Sequence, residues 1–365
     1  LVPVDKKILG VIALDCLPNI YQLFISPNNN LQKELFESAL LQARKFIEVI
    51  FDNDEMLYFC SMSSKTIVYK GLMLPDAIDL FYKDLRKNNF TASICVFHQR
   101  FSTNTSPRWH LAQPFRLLAH NGEINAIRGN RNWAKARKSK FLTPLIPKLS
   151  KFKHLINETG SDSSSLDNMI ELLEKGGINI FRAIRMVLPP AWQNGQILDA
   201  EIKSFHEYNS MHMEAWDGPA GIVLTDGRYA VCLLDRNGLR PARWMIHKNG
   251  YITLASETGV WDYDPADVVA KGRVGPGRII AVDTQTGEFL ETEEIDNRLK
   301  SRYPYKQWLR KNAMRLRTNL ELTNEAEGGT LSADELLVHQ KMFQVTREER
   351  EQILRPLSEM GQEAV

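Results

Sequence analysis

The sequence has few cysteines, no long apolar run and no excess of charge of one sign. Its four cysteines lie far apart without a Cys-x-x-Cys pair, which argues against a zinc site or a redox dithiol. Its apolar runs fall well short of the roughly 18 to 20 residues that span a bilayer. The 46 basic and 44 acidic residues leave a net charge of +2. We therefore expect a cytoplasmic protein that binds neither nucleic acid nor membranes.

The composition is that of an ordinary globular protein. With 43% apolar and 25% charged side chains, 365 residues can bury one large core or two smaller ones. The histidines are scattered and form no His-Glu-x-x-His motif or Cys/His cluster, so we predict no metal site. The chain opens at Leu1 without a signal-peptide pattern, and it ends at Val365 without terminal punctuation. We expect it to be a fragment of a longer protein.

Apolar spacing and turn residues predict helices that flank a largely antiparallel sheet system. Residues 31–51 have the apolar period of a helix with one buried face, residues 124–138 predict a helix with a basic face, and residues 165–173 predict a helix that Gly176-Gly177 closes. Residues 56–61, 65–69 and 92–97 are predicted to be strands. An antiparallel meander is predicted from Gly221 onward, with turns at Asp226-Gly227, Asn237-Gly238, Asn249-Gly250 and Thr286-Gly287.

The last part of the sequence is more charged and has its own helix signals. Residues 324–330 predict a flexible joint and a domain boundary close to it. Thr346 and Glu349 have the spacing of a capping box, which predicts a helix in the tail.

Three segments place polar and small residues where a core would use apolar ones. They are HQRFSTNTSPRW (98–109), AHNGEIN (119–125) and GSDSSSLDN (160–168). In the first segment, Arg100 follows the apolar stretch SICVF, and its planar guanidinium suits a carboxylate held at two points. Arg100 could clamp the carboxylate of an amino acid, or it could form an ion pair with one of the protein's own acids.

The other two segments supply a possible oxyanion hole and an anion. Asn121-Gly122 offers an amide side chain beside an unhindered backbone N–H, although Asn-Gly is also an ordinary turn. Asp162 could cap a helix or bind a substrate ammonium. A cation for a carboxylate, an anion for an ammonium and an oxyanion hole together describe a site for a free amino acid with a reactive carbonyl.

At this point a resemblance to a known family becomes specific. The string FHQRFSTNTSPRWHLAQPFRLLAHNGEIN, followed by GSDSSSLDN, MHMEAWDGPA and LDRNGLRPAR, resembles the class II glutamine amidotransferase domain of glutamate synthase large subunits of the bacterial NADPH-dependent type. The likeness runs along the whole chain. It implies that Arg100 holds the substrate carboxylate, that Asn121 and Gly122 form the oxyanion hole, and that Asp162 holds the amino group. Ser102 and Thr103 would line the same pocket.

The sequence departs from the family at the nucleophile. Family members use an N-terminal cysteine whose own α-amino group activates the thiol. This chain begins with Leu1, and Cys16 in ALDCLPN does not resemble a Cys-Gly start. Cys60, Cys95 and Cys232 lie in apolar stretches and are predicted to be small core residues. We expect the N-terminal part of the domain to be missing and this fragment alone to be inactive.

The resemblance also implies the wider architecture. The fold would be an α+β four-layer αββα sandwich of the N-terminal-nucleophile hydrolase type, incomplete here. Residues 1–300 would form the amidotransferase domain without its N-terminal part, and residues 301–365 a helical linker into a synthase domain absent from this chain. No cofactor is expected on this chain. The absent domain would carry FMN and an iron–sulfur cluster, and a small subunit would oxidise NADPH.

The implied chemistry is the hydrolysis of L-glutamine to glutamate and ammonia, after which ammonia and 2-oxoglutarate would give a second glutamate. Two alternatives remain open. The chain could be another class II amidotransferase, such as one that feeds purine or amino-sugar synthesis. It could also be a non-catalytic module, such as a glutamine sensor or docking subunit that has lost its nucleophile.

Overall fold

The computed structural model describes residues 1–27, 31–51, 57–101, 106–193, 199–314, 331–361 and 363. The chain divides into two compact units, Leu1–Lys311 and Asn312–Val365. Within the described residues, no helix is both long enough and apolar enough to cross a membrane.

The first unit contains two antiparallel sheets. Its strands are β1 (Leu118–Gly122), β2 (Ala220–Thr225), β3 (Tyr229–Leu234), β4 (Arg243–His247), β5 (Ile252–Ala255), β6 (Val268–Arg273), β7 (Ile279–Asp283) and β8 (Glu288–Leu290). One sheet has the order β1-β2-β3-β7-β8 and the other the order β5-β4-β6. The predicted meander is confirmed as a run of antiparallel strands, but it is divided between these two sheets.

The predicted turns explain how the chain is divided. Gly227, Gly250 and Gly287 have positive φ angles and close the hairpins β2–β3, β4–β5 and β7–β8. Gly238 also has a positive φ, but it lies between strands of different sheets. The Asn237-Gly238 turn therefore carries the chain from one sheet to the other.

The first unit also contains nine α-helices within the residues that the structure describes. They are α1 (Val11–Asp15), α2 (Lys33–Ile50), α3 (Ile78–Phe81), α4 (Ile127–Ala136), α5 (Asp162–Lys175), α6 (Ile180–Val187), α7 (Ala200–Ser210), α8 (Thr292–Lys300) and α9 (Tyr305–Asn312). The three helices predicted from apolar spacing are confirmed as α2, α4 and α5. Helix α5 begins earlier than predicted because the Ser161 side chain accepts the N–H of Ser164 and caps it, and Gly176 occupies the C-cap as expected.

The main core lies between the helices and one face of the larger sheet. Leu118, Ile222 and Val231 of the sheet are buried with Leu166 and Ile170 of α5. Burying such side chains contributes about 1.5 to 3 kcal/mol each.

A smaller core joins the opposite face of that sheet to the three-stranded sheet. Cys232, Leu234 and Ile280 of the larger sheet meet Trp244 and Leu254 there. The outward residues of β6, Val269, Lys271 and Arg273, are exposed. The described residues of the first unit thus supply helix, sheet and sheet layers, and the predicted mixture of helices with antiparallel sheets is confirmed.

Three predicted strands are wrong. Residues 57–61, 65–69 and 92–97 contain no strand, and Met56 lies outside the described residues. A strand requires backbone partners on a neighbouring strand, whereas the sequence pattern reports only apolar and β-branched side chains. Cys95 is exposed, so the prediction that it is a core residue is also wrong.

The second unit is helical where it is described. Helix α10 (Ala333–Met342) is capped by Ser332 in a capping box with Glu335. A π-helical segment, Glu349–Leu354, leads into α11 (Arg355–Met360). The Thr346 hydroxyl accepts the Glu349 N–H at 3.1 Å, as the predicted capping box requires. The joint predicted at residues 324–330 lies outside the described residues.

Candidate active site

The candidate site is built around the end of β1, which is an edge strand of the larger sheet. Asn121 pairs with Gly221 of β2, and Gly122 pairs with Ala220. Side chains alternate along a strand. His120 faces α5, where its Nδ1 lies 2.7 Å from the Ser163 hydroxyl. Asn121 therefore points to the opposite face, and it is exposed.

At the end of β1 the backbone passes so close to a neighbouring segment that only glycine fits there. Gly122 has φ +150°, and a Cβ built on it would lie 1.8 Å from the Pro219 carbonyl oxygen. Gly218 has φ +147°, and its Cβ would lie 2.0 Å from the Glu123 carbonyl oxygen. The Glu123 N–H donates to the Pro219 carbonyl at 2.9 Å, which fixes the two segments together. The segment around Gly218 is thus a support for the end of β1.

Asp162 lies beside the same end of β1. Its carboxylate accepts the N–H of Ile124 at 2.8 Å, two residues after Gly122. The cap of α5 is Ser161 rather than Asp162, so the helix-cap alternative for Asp162 is wrong. The structure therefore brings Asn121, Gly122 and Asp162 to the same end of β1, with the Asp162 carboxylate on the α5 side of the sheet and the Asn121 side chain on the other face.

Arg100 is exposed and lines a cleft in the first unit. Lys70, His98 and Gln113 line the same cleft. Among the described residues no carboxylate forms an ion pair with Arg100. These residues therefore give no support to the alternative that Arg100 forms a structural ion pair. Its backbone N–H donates to Nδ1 of His98 at 3.2 Å. The other two predicted pocket residues, Ser102 and Thr103, lie outside the described residues.

A buried aspartate orders the turn after β3 and ties it to β2. Asp235 is 4% exposed and accepts the backbone N–H of Ala220 at 2.9 Å and that of Asn237 at 2.8 Å. Beyond this turn, the Cβ of Arg240 lies 3.3 Å from the place where a Cβ of Gly221 would stand. The Asp235 loop thus supports the strand that pairs with Asn121.

His120 is a buried neutral group that the sequence analysis did not single out. Burial lowers the pKa of its imidazole to about 4, although the nearby Asp162 carboxylate favours the charged form. His206 is a second such group. Its ring lies between Trp192 and Phe205, and its nitrogens have no hydrogen-bond partner within the described part of the chain. Burial lowers the pKa of His206 to about 3.

These two histidines predict an acid-sensitive fold. When the pH falls below about 6.5, histidine in the unfolded chain takes up a proton while the folded, buried rings do not, so the free energy of unfolding decreases. Between pH 7 and pH 5 the decrease should be about 2 kcal/mol per buried histidine. Urea unfolding at the two pH values measures this decrease.

A pair of variants assigns the effect to burial. His206→Phe should reduce the difference between pH 7 and pH 5 by about 2 kcal/mol. The control is Ile202→Val, because Ile202 is buried on the same helix but carries no titratable group, so the substitution should lower the free energy of unfolding equally at both pH values. An unaltered difference in His206→Phe would show that the His206 ring titrates normally in the folded protein.

Residues 1–308 match the family described as glutamine amidotransferases class-II. That match covers most of the chain. The chain belongs to the class-II glutamine amidotransferase family.

The relatives are glutamate synthases. The chain is 38% identical over 365 residues to the glutamate synthase [NADPH] large chain of Bacillus subtilis, with 99% of this chain and 24% of that protein aligned. It is 38% identical to the corresponding chain of Azospirillum brasilense, over 100% of this chain and 24% of that one. It is 37% identical to ferredoxin-dependent glutamate synthase 1 of Arabidopsis thaliana, with 99% of this chain and 22% of that protein aligned. The chain thus spans about a quarter of the length of these relatives.

Among solved structures, a glutamine phosphoribosylpyrophosphate amidotransferase from B. subtilis has 19% identity and a TM-score of 0.27, covering 48% of this chain and 28% of that one. A likeness at this level adds nothing to the assignment.

Proposed function

We propose that this chain is the glutamine-binding and glutamine-hydrolysing part of a glutamate synthase. The observation that carries the proposal is the exposed Asn121 amide beside Gly122 at the end of an edge strand, with Asp162 next to it. The relatives that align with nearly the whole chain bear the name glutamate synthase, which supports the same conclusion.

The backbone direction supports an oxyanion role for Gly122. In an antiparallel pair, alternate residues direct their N–H and C=O groups away from the partner strand. Both backbone groups of His120 bond to Gln113 outside the sheet, so Gly122, two residues later, directs its N–H to the same free edge. No described residue accepts a hydrogen bond from it. Gly122 and Asn121 can therefore supply two adjacent donors to a developing oxyanion.

The charged side chains suit the two ends of a free amino acid. Arg100 would hold the α-carboxylate of glutamine, and Asp162 would hold its ammonium group. Both side chains retain hydrogen-bonding capacity, because Arg100 has no described carboxylate partner and the described partners of Asp162 are the Ile124 N–H and the Ser163 hydroxyl. Ser102 and Thr103 would complete the pocket wall. The reacting side-chain amide of glutamine would then lie toward Asn121 and Gly122.

The cysteine nucleophile is proposed to come from outside residues 1–365. Burial raises the pKa of Cys232 to about 12, which disfavours a reactive thiolate. Cys16 sits at the end of α1 with its thiol directed at the Ile12 carbonyl, and its nitrogen belongs to a peptide bond. It therefore lacks the free α-amino group that would activate it. An N-terminal cysteine of a longer polypeptide would complete the site.

The rest of the enzyme is proposed on the same basis. A fourth, helical layer would complete the αββα sandwich over the exposed face of the three-stranded sheet, where Val269 lies 68% exposed. Residues 1–300 would be the amidotransferase domain and residues 301–365 the linker. Ammonia would react with 2-oxoglutarate in a synthase domain that carries FMN and an iron–sulfur cluster, with an NADPH-oxidising small subunit as partner, in the cytoplasm.

The Arg100→Lys variant tests substrate binding. Lysine keeps the positive charge but loses the two-point contact with a carboxylate, so the KM for glutamine should rise about tenfold or more while kcat changes little. The assay is glutamate release by the full polypeptide that contains these residues. Arg86→Lys is the control, because Arg86 is an exposed arginine paired with Asp79. An unchanged KM in Arg100→Lys would remove Arg100 from the proposed binding site.

A further inference from the structure

Gln113 holds the peptide groups of His120 at two points. Its Nε2 donates to the His120 carbonyl at 3.0 Å, and its Oε1 accepts the His120 N–H at 2.7 Å. These are the two bonds that a neighbouring strand would make on the free edge of β1. One side chain thus takes the place of a strand immediately before Asn121 and Gly122.

His98 lines the same cleft as Gln113 and holds the arginine loop. Its Nδ1 accepts the backbone N–H of Arg100 at 3.2 Å, so the ring proton of the neutral form is on Nε2. Burial lowers the pKa of His98, which favours this neutral form. The imidazole thus fixes the backbone at Arg100, while Gln113 fixes the backbone of β1.

A buried lysine side chain holds the segment that carries Gln113. Lys70 is 4% exposed, and its ammonium group donates to the His110 carbonyl at 2.9 Å, to the Ala112 carbonyl at 3.0 Å and to the Tyr58 hydroxyl at 3.2 Å. A buried charge that donates to three fixed acceptors gives a rigid support. The residues just before Gln113 are thus held in place by Lys70.

We propose that Gln113 and His98 are positioning residues. Gln113 fixes the His120 peptide groups so that Asn121 and Gly122 meet the reacting carbonyl, and His98 fixes the Arg100 backbone so that Arg100 meets the substrate carboxylate. This inference rests on the proposed function, and neither side chain has to touch the substrate for this role. A misplacement of about 1 Å at a reacting centre can lower the rate about a hundredfold, so the contacts of Gln113 bear on kcat, whereas the contact of His98 bears on the KM for glutamine.

Gln113→Glu in the full polypeptide is the first test. The variant has nearly the same shape, but it loses the Nε2 donor and places a carboxylate oxygen against the His120 carbonyl. We expect kcat for glutamine hydrolysis to fall about 10- to 100-fold, with KM changed by less than about threefold. Because a loss of folded enzyme would also lower the apparent kcat at unchanged KM, circular dichroism and thermal unfolding of the variant are measured alongside, and we expect them to show a fully folded protein at the assay temperature.

Gln42→Glu is the matched control. Gln42 lies on α2, outside the site, and is also half-buried. Its Nε2 donates to the carbonyls of Ser38 at 3.2 Å and Leu145 at 3.3 Å. The same chemical change there breaks two comparable bonds and should leave kcat and KM as in the wild type. If Gln113→Glu behaves like Gln42→Glu, the positioning role is overturned.

Further variants decide the matter if Gln113→Glu does not fold. Gln113→Met has nearly the same length and adds no charge, but it loses both bonds to His120, so kcat should fall with little change in KM; a wild-type kcat would overturn the role of Gln113. His98→Ala should raise the KM for glutamine, and His98→Asn, whose Oδ1 can still accept the Arg100 N–H, should recover at least part of the loss. Equal KM values for the two His98 variants would overturn the role of His98. A wild-type polypeptide without glutaminase activity would instead contradict the proposed function, so the two failures are distinguishable.

Discussion

Asn121→Ala lowers kcat for glutamine hydrolysis by about a hundredfold or more, with little change in the KM for glutamine. The Asn121 side chain is exposed at the end of β1, and its amide is one of the two donors proposed for the oxyanion. Such a donor stabilises negative charge that develops only in the transition state. Its removal therefore affects the chemical step and leaves ground-state binding almost intact.

Steady-state kinetics of glutamate release by the full polypeptide measures this effect. Asn132→Ala is the control, because Asn132 is an exposed asparagine on α4. Thermal unfolding of both variants should give melting temperatures close to that of the wild type. A normal kcat for Asn121→Ala, or a loss confined to KM, would mean that this amide does not stabilise the oxyanion.

Gly122→Ala should damage both the fold and the activity. The added Cβ would lie 1.8 Å from the Pro219 carbonyl oxygen, and the backbone has φ +150°, which alanine rarely adopts. Strain in the backbone and overpacking each cost about 1 to 3 kcal/mol, so the free energy of unfolding should fall by about 2 to 5 kcal/mol. Because relief requires the end of β1 to move, glutaminase activity should fall below detection.

Gly129→Ala is the control for this substitution. Gly129 lies within α4, and a Cβ built there meets no atom within 4 Å. Alanine there should leave activity unchanged and raise the free energy of unfolding by up to about 1 kcal/mol. Denaturant unfolding of the two variants gives the comparison. If Gly122→Ala were as stable and as active as Gly129→Ala, the close contact with Pro219 would not exist in solution.

Local signals in the sequence account for much of the fold. Apolar spacing predicts α2, a stretch with a basic face predicts α4, and the helical stretch closed by Gly176-Gly177 predicts α5. Tight hairpin turns require positive φ angles, which the glycines of the Asp-Gly and Asn-Gly turns adopt without strain. These features depend on a few neighbouring residues, so a sequence pattern can report them.

Features that depend on distant partners could not be predicted in this way. Residues 57–61 and 92–97 have strand-like side chains but no strand beside them in the described structure. The division of the meander depends on the turn at Gly238, whose sequence resembles that of the hairpin turns. Pairing is a property of two chain segments, and an apolar pattern describes only one of them.

The candidate site shows the same limit. Motif chemistry pointed to Asn121, Gly122 and Asp162, and the structure brings these three together, whereas their chemical roles remain proposals. Gln113 lies between the motifs and escaped notice because its importance comes from two bonds to the His120 backbone. The signal in the sequence was its place within the string FHQRFSTNTSPRWHLAQPFRLLAHNGEIN, between the two polar segments.

The most direct test of the proposed glutaminase compares two polypeptides in one assay. Glutamate release from glutamine is measured for residues 1–365 alone and for the chain extended upstream to the first in-frame Cys-Gly. We expect no turnover by residues 1–365 and glutamine hydrolysis by the extended polypeptide. Absence of activity in both would contradict a glutamine-hydrolysing site and favour a non-catalytic module, and activity in residues 1–365 alone would contradict the nucleophile proposed here.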